Sequence, residues 1–196
     1  MIGTEFGTFM FVLAVAYLLG SIPTAVLVCH FMGINDPRQQ GSGNPGATNV
    51  LRIGNRQAAV LTLFGDLVKG ALTVAIARWF DLNLLLQACC GLAALGGHIC
   101  SLFLRFRGGK GVATMLGVCL LLNHLLGLIQ CSIWLCLLVI RKISSLAAIG
   151  MAMLSPVICW LLEPELIIPV GMMSLIIIAT HHQNIRNLLD GRESRL

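Results

Sequence analysis

Long apolar stretches separated by short polar, glycine-rich segments make up the chain. Runs free of Asp, Glu, Lys and Arg occupy residues 6–35, 82–104, 111–140, 143–162 and 166–185. A sixth apolar segment, 57–80, is interrupted by Asp66, Lys69 and Arg78. A membrane-crossing helix needs about 20 mostly apolar residues, each rising about 1.5 Å. The pattern therefore predicts an all-α chain of spanning helices. Pro23, Pro156 and Pro169 lie inside or near the ends of these spans, where membrane helices tolerate proline better than soluble ones do.

The run 111–140 admits two readings. As one helix it would be about 45 Å long, against a hydrocarbon core of about 30 Å. As two helices it would break near Asn123-His124. Charge placement separates the two. With the N-terminus outside (periplasmic) and seven crossings, Arg38, Arg52, Arg56, Arg105, Arg107, Lys110, Arg141, Lys142, Arg186, Arg192 and Arg195 all face the cytoplasm. Asp81, Glu163 and Glu165 then fall in outer loops, with Arg78 the exception among the basic residues. With a single crossing, Arg141, Lys142 and the C-terminal arginines move outside. The positive-inside rule prefers seven helices and a cytoplasmic C-terminus. That topology gathers segments 35–56, 105–111, 141–145 and 181–196 on the cytoplasmic face. No internal repeat or linker divides the chain, so 1–196 is expected to be one membrane-embedded domain.

Composition supports the same class. The 196 residues are 57% hydrophobic and 11% charged, with mean hydropathy +0.90. A soluble domain carries about a quarter of its residues as charge. The net charge is +5, but the basic residues are dispersed, with no stripe interleaved with aromatics, which excludes a nucleic-acid surface. Eight cysteines sit within or beside apolar stretches without a C-x-x-C, as small hydrophobes do. The start of the chain lacks a basic n-region and carries Glu5, unlike a secretory signal.

Three polar segments carry chemistry. Gly41-Ser42-Gly43-Asn44-Pro45-Gly46-Ala47-Thr48-Asn49-Val50-Leu51-Arg52 contains G-x-G-x-x-G, but it follows a predicted membrane helix rather than a strand. A dinucleotide fingerprint is therefore rejected. Its glycines still let backbone N–H groups approach an anion, Ser42 and Thr48 add hydroxyls, and Arg52 offers a planar fork for phosphate. In the second segment, Gly108, Gly109 and Gly111 bracket Lys110 just before an apolar run. Glycines entering a helix N-terminus beside a lysine form an anion site. The third is Thr180-His181-His182-Gln183-Asn184-Ile185-Arg186, where His181 and Asn184 share a helical face and can hydrogen-bond a polyol or a phosphate. His98 reads as a hydrogen-bonded packing residue, and Asp66 with Lys69 as a mutually neutralising pair that pins its helix. Ser144-Ser145 can lend a hydroxyl to the same face. With four Asp and four Glu, no H-x-x-x-x-D and no visible His–carboxylate dyad, neither a metal site nor such a base is predicted.

Taken in order, G-S-G-N-P-G-A-T-N-V-L-R (41–52), G-D-L-V-K-G (65–70), F-R-G-G-K-G-V-A-T (106–114) and H-H-Q-N-I-R-N-L-L-D-G-R-E (181–193) closely resemble the bacterial PlsY family, acyl-phosphate-dependent glycerol-3-phosphate acyltransferases. The resemblance covers essentially the whole chain. It implies seven helices in the bacterial inner membrane and a cytoplasm-facing site. The implied reaction moves a fatty acyl group from acyl phosphate to the 1-hydroxyl of glycerol 3-phosphate, giving lysophosphatidic acid and phosphate, with no cofactor, metal or acyl-CoA. Ser42, Gly43, Asn44, Thr48, Gly109 and Lys110 would hold phosphate, and Arg52 would reach glycerol 3-phosphate. His181 and Asn184 would position it, with Ser145 contributing. Lys110, Ser42, His181 and Asn184 would be the catalytic set. Implied partners are the two substrates and membrane lipid, and a contact with the soluble enzyme that makes acyl phosphate is the remaining one to look for. Two proton acceptors stay open, the departing phosphate and His181. The alternative from another class is a transporter or flippase for a small phosphorylated solute. The lack of repeat symmetry and the one-sided polar loops weigh against it.

Overall fold

The computed structural model describes residues 2–196, with side chains from residue 5 onward. Every regular element among them is helical. The chain opens with α1 (Ile2–Ser21) and α2 (Thr24–Phe31), which meet at a 45° bend where Pro23 removes a backbone donor. A short α3 (Ala47–Arg52) follows the first glycine loop and leads to α4 (Arg56–Trp79), α5 (Leu84–Ile99) and α6 (Val112–Leu122). Then come α7 (His124–Arg141), α8 (Ser144–Leu162), α9 (Ile167–Thr180) and α10 (His182–Leu189).

Local chemistry sets the boundaries. Asn55, Asn83 and Asn123 cap α4, α5 and α7 by accepting from backbone N–H groups in the first turn. The break expected near Asn123 is therefore present: α6 ends at Leu122, and the Asn123 side chain accepts from Leu125 and Leu126, both at 3.1 Å. Lys142, at φ +54°, ends α7 in a left-handed turn.

Small residues let the helices approach closely, which is how helices associate when lipid removes the hydrophobic drive. Gly20 and Gly97 sit at the contact of α1 with α5, where a Cβ on either would meet a carbonyl oxygen at 2.0 or 2.1 Å. Gly70 and Gly117 do the same between α4 and α6. Leu95, Met115, Leu126, Met173 and Ile177 fill the centre of the bundle. The exterior is apolar as well, with Trp79 85% and Ile140 73% exposed, as a lipid-facing surface requires.

Residues 56–79, 84–104, 124–141 and 144–162 are each long and apolar enough to cross a membrane. The bent pairs α1–α2 and α9–α10 raise the number of candidate spans to six. By itself α6, with 11 residues and thus about 17 Å, is shorter than a core of about 30 Å. The protein is a multi-pass helical bundle.

Candidate functional site

The first glycine loop is built around a buried amide. Asn49, on α3, donates through Nδ2 to the carbonyls of Pro37 (2.7 Å) and Gln40 (3.0 Å), and its Oδ1 accepts from the Ser42 N–H at 2.8 Å. Gly41 and Gly43 take φ of +59° and +71°, a region that side chains rarely adopt, and so turn the loop back over α3. Ser42 and Thr48 are thereby carried to one end of the bundle. Thr48 Oγ1 lies 2.9 Å from Ser144 Oγ on α8.

The second glycine loop meets it there. Gly111, at φ +83°, hands the chain into α6 without a side-chain cap, so the first N–H groups of α6 open onto the same space. Lys110 Nζ donates to Asn184 Oδ1, and the Lys110 carbonyl accepts from Thr180 Oγ1 at 3.3 Å. Burial lowers the Lys110 pKa and the Arg52 charge lowers it further, while Glu193 opposes both.

The C-terminal segment closes the third side. His181, buried at the junction of α9 and α10, donates from Nδ1 to the Ile177 carbonyl at 2.8 Å, which leaves Nε2 as the acceptor. Burial pushes this imidazole down to about 4, so it is neutral at physiological pH. Glu193 Oε1 accepts from Ser145 Oγ and Asn184 Nδ2, both at 2.7 Å. Burial pushes its carboxyl up, but those hydrogen bonds, one from Asn187 and the Arg52 charge hold it below the usual carboxylate range. Arg52 Nη2 donates to the Ser194 carbonyl at 3.1 Å, while its buried Nε has no partner among the described residues.

A cavity of about 290 Å³ joins these groups. Of the residues read from sequence, Ser42, Asn44, Thr48, Arg52, Lys110, Ser145, His181 and Asn184 line it. Gly43 and Gly109 do not: the first makes the turn, and the second packs against His98. Much of its wall is apolar, with Leu63, Leu67, Leu116, Trp134 and Leu135 beside the polar groups, and Asp66 and His98 reach it too. Hydroxyls, cations and hydrocarbon thus share one cavity, a lining suited to an amphiphile.

Sequence reasoning missed Glu193 and the structural part of Asn49, while Ser144, read beside Ser145 as a hydroxyl for this face, does line the cavity. Glu193 carries a faint signal, as an acid between Arg192 and Arg195 in a chain with few acids, but nothing periodic places a coil residue. No His–carboxylate dyad is visible in the sequence, yet the fold brings one such pair close. His98 Nδ1 lies 3.6 Å from Asp66 Oδ1 across α4 and α5, a contact that their separation in the chain conceals. Asp66 and Lys69 do pair, at 2.9 Å. Among the described residues no three His, Cys, Asp or Glu side chains gather in a metal-binding group.

Comparison with known proteins agrees with this geometry. A family model described as glycerol-3-phosphate acyltransferase matches residues 10–191. The chain is 47% identical over 181 residues to the glycerol-3-phosphate acyltransferase of Shewanella sediminis (strain HAW-EB3), covering 92% of this chain and 90% of that one. It is 49% identical over 189 residues to that of Laribacter hongkongensis (strain HLHK9), covering 94% of each. The fold superposes with TM-score 0.90 on the crystal structure of PlsY, an integral membrane glycerol 3-phosphate acyltransferase, in its glycerol 3-phosphate form. The two are 34% identical, and 96% of each chain is covered. The lysophosphatidic acid form of PlsY matches with TM-score 0.89 at 33% identity, covering 96% of this chain and 95% of that one. The chain belongs to the glycerol-3-phosphate acyltransferase family, whose members are integral membrane enzymes of phospholipid synthesis.

Proposed function

We propose that this member of the glycerol-3-phosphate acyltransferase family takes its acyl group from acyl phosphate and delivers it to the 1-hydroxyl of glycerol 3-phosphate. The observation that carries the reading is the lining of the cavity, in which Lys110, Arg52, Ser42 and Thr48 meet Leu63, Leu67, Leu116, Trp134 and Leu135. Both substrates bear phosphate, and one of them also bears a hydrocarbon tail. The polar lining can take the phosphates and the apolar walls can take the chain.

The roles follow from the chemistry. Lys110 and the open N–H groups of α6 offset charge on the phosphate that departs, which is the main catalytic effect when the leaving group is already good. Arg52, with its unpartnered Nε, holds the phosphate of glycerol 3-phosphate. Ser42, Asn44, Thr48 and Ser145 supply further hydrogen bonds, and His181 and Asn184 orient the glycerol hydroxyls. Gly43 and Gly109 serve by shaping the two loops. Ser42, Lys110, His181 and Asn184 are the side chains assigned to the reacting atoms.

In the reaction the 1-hydroxyl oxygen bonds to the acyl carbon and the bond from that carbon to the phosphate oxygen breaks. The hydroxyl proton ends on the departing phosphate. His181 is a weak competitor for that proton, since burial holds it at about 4, whereas the dianion of the departing inorganic phosphate is at least as basic as a phosphate ester, whose second pKa is about 6. No step is routed through a metal, a cofactor or acyl-CoA.

The same proposal places one domain, 1–196, across the bacterial inner membrane seven times. The bent pair α1–α2, the four long helices, the short α6 and α9 make up the crossings, and α10 lies beyond the last of them on the cytoplasmic side. The N-terminus is then periplasmic and the site, with the C-terminus, cytoplasmic. The distribution of basic residues supports this orientation. The site then stands where the soluble enzyme that makes acyl phosphate can deliver it. A transporter of phosphorylated solutes is not favoured, because the polar groups gather at one end of the bundle rather than at its midplane. The test is to supply the purified protein with synthetic acyl phosphate and glycerol 3-phosphate, without metal or acyl-CoA. Equal release of phosphate and 1-acyl product is expected, and no phosphate release would overturn the donor.

A further inference from the structure

Inside the bundle lies a second group of ionisable side chains that the reaction as described does not use. Asp66 and Lys69 on α4 and His98 on α5 are all buried. Lys69 Nζ donates to Asp66 Oδ1 at 2.9 Å and to the Ile22 carbonyl, at the α1–α2 bend, at 3.0 Å. His98 Nδ1 stands 3.2 Å from Thr114 Oγ1 on α6 and 3.6 Å from Asp66 Oδ1. Charged groups within a membrane span are costly, and apolar side chains would hold helices together at least as well. Neutralisation alone needs only Asp66 and Lys69. It does not account for a third polar member that reaches another element.

The far side of the His98 ring supplies the reason. A Cβ on Gly109 would stand 2.3 Å from His98 Nε2, so this edge of the imidazole lies directly against the glycine that precedes Lys110. The backbone of the same loop is tied to the end of α5. Gly108 N–H donates to the Ile99 carbonyl at 2.8 Å and Gly109 N–H to the His98 carbonyl at 3.1 Å. Pro45, from the first glycine loop, borders the small space that Asp66, Lys69, His98 and Gly109 share. The buried group therefore forms a floor beneath the Lys110 side of the cavity.

We propose that His98, oriented by Asp66, Lys69 and Thr114, is a positioning residue that sets the height of the Gly108–Lys110 loop and so the reach of Lys110 into the cavity. The proposal rests on the reading of Lys110 as a phosphate ligand. It explains why position 109 is a glycine whose φ would accept any residue: the imidazole occupies the place of its side chain.

The test uses full-length enzyme in bilayer discs and three variants. Gly109→Ala forces a methyl group against His98 Nε2 and is expected to raise KM for the phosphate-bearing substrates and lower kcat. His98→Ala removes the obstacle. The double variant is therefore expected to be more active than Gly109→Ala alone by about tenfold, the coupling of two residues in contact. Asp66→Asn with Lys69→Gln removes both charges together and leaves His98 with Thr114 as its remaining orienting partner. Amide hydrogen exchange at Gly108 and Gly109 is expected to quicken about tenfold in that variant, with helical content and thermal unfolding retained. A double variant no better than Gly109→Ala, or unchanged exchange at both glycines, would overturn the proposal. The exchange measurement needs no donor. If wild type released no phosphate from acyl phosphate, the donor assignment would fall while the role of His98 was still decided.

Discussion

The two glycine loops that border the cavity look alike in sequence and are held in unlike ways. The loop at 41–46 is organised by one side-chain amide: Asn49 satisfies Pro37, Gln40 and Ser42 from 7 to 12 residues away. The loop at 108–111 hangs by its backbone from the end of α5, over a similar span of chain, and its floor is His98. Its lysine, unlike the Asn49 amide, is held by Asn184 and Thr180 from the far end of the chain. The first loop takes its form from a neighbouring side chain. The second places its lysine only through the bundle. One consequence is that the first should fail through its own stability, and the second through changes made far away.

Variants can break that comparison, and the largest effect is expected at Lys110. Lys110→Ala should lower kcat/KM by about a thousandfold, the loss seen when one preorganised donor to a developing negative charge is removed. The fold should be unaffected, since the ammonium makes one side-chain contact. Phosphate-release kinetics with a thermal unfolding curve on the same preparation check both halves. Asn49→Ala should act the other way round. It leaves the buried Pro37 carbonyl and the Ser42 N–H without partners, while Gly43 N–H still serves the Gln40 carbonyl, at a cost of about 2 kcal/mol. Denaturation should show that loss, and KM should rise because Ser42 is no longer held. Equal losses of activity from both variants without any loss of stability would dissolve the distinction between the loops.

Glu193→Gln should have a smaller effect. The amide oxygen can still accept from both Ser145 and Asn184, but the negative charge that supports Lys110 and Arg52 is gone. Activity should fall several-fold, by about 1 kcal/mol, and the fall should grow at low ionic strength. The smallest effect is one of pH. Burial holds His181 at about 4, while the unfolded chain binds that proton at about 6.5. Above pH 6.5 the two states bind equally, so this stability is fully present there. As pH falls from 6.5 towards 4 the unfolded state takes up the proton first, and stability drops. Urea unfolding across that window should flatten in His181→Asn. The pH–rate profile of wild type, with acyl phosphate saturating, should show no limb from this histidine between pH 5 and 8. A limb near 6.5 that disappears in His181→Asn would restore His181 as the general base.

The fold was legible wherever an apolar run and a local cap coincide. Asn123 stops one helix and starts the next, as the distribution of charge required, because a capping amide acts on backbone groups two and three residues away. Bends were less legible. The stretch 6–35 reads as one apolar run, yet it turns by 45° at Pro23, and the run 166–185 turns by 59° at His181. In the site, residues inside glycine-rich motifs could be named because their type and spacing already suit phosphate. Glu193 and Asp66–His98 could not, since neither has a spacing that carries meaning.

By itself, then, the chain determined its solvent and its chemistry. Few charges and long apolar runs demand lipid, and glycines with Ser, Thr, Arg and Lys at short intervals demand an anion, because both rest on local composition. Only the tertiary structure decided which groups share the cavity, how Glu193 and Asn184 steady Lys110, and what lies beneath Gly109. These depend on helices far apart in sequence approaching at Gly20, Gly70, Gly97 and Gly117, where the lack of a side chain lets backbones touch. The pairing of those glycines emerges only in the folded bundle.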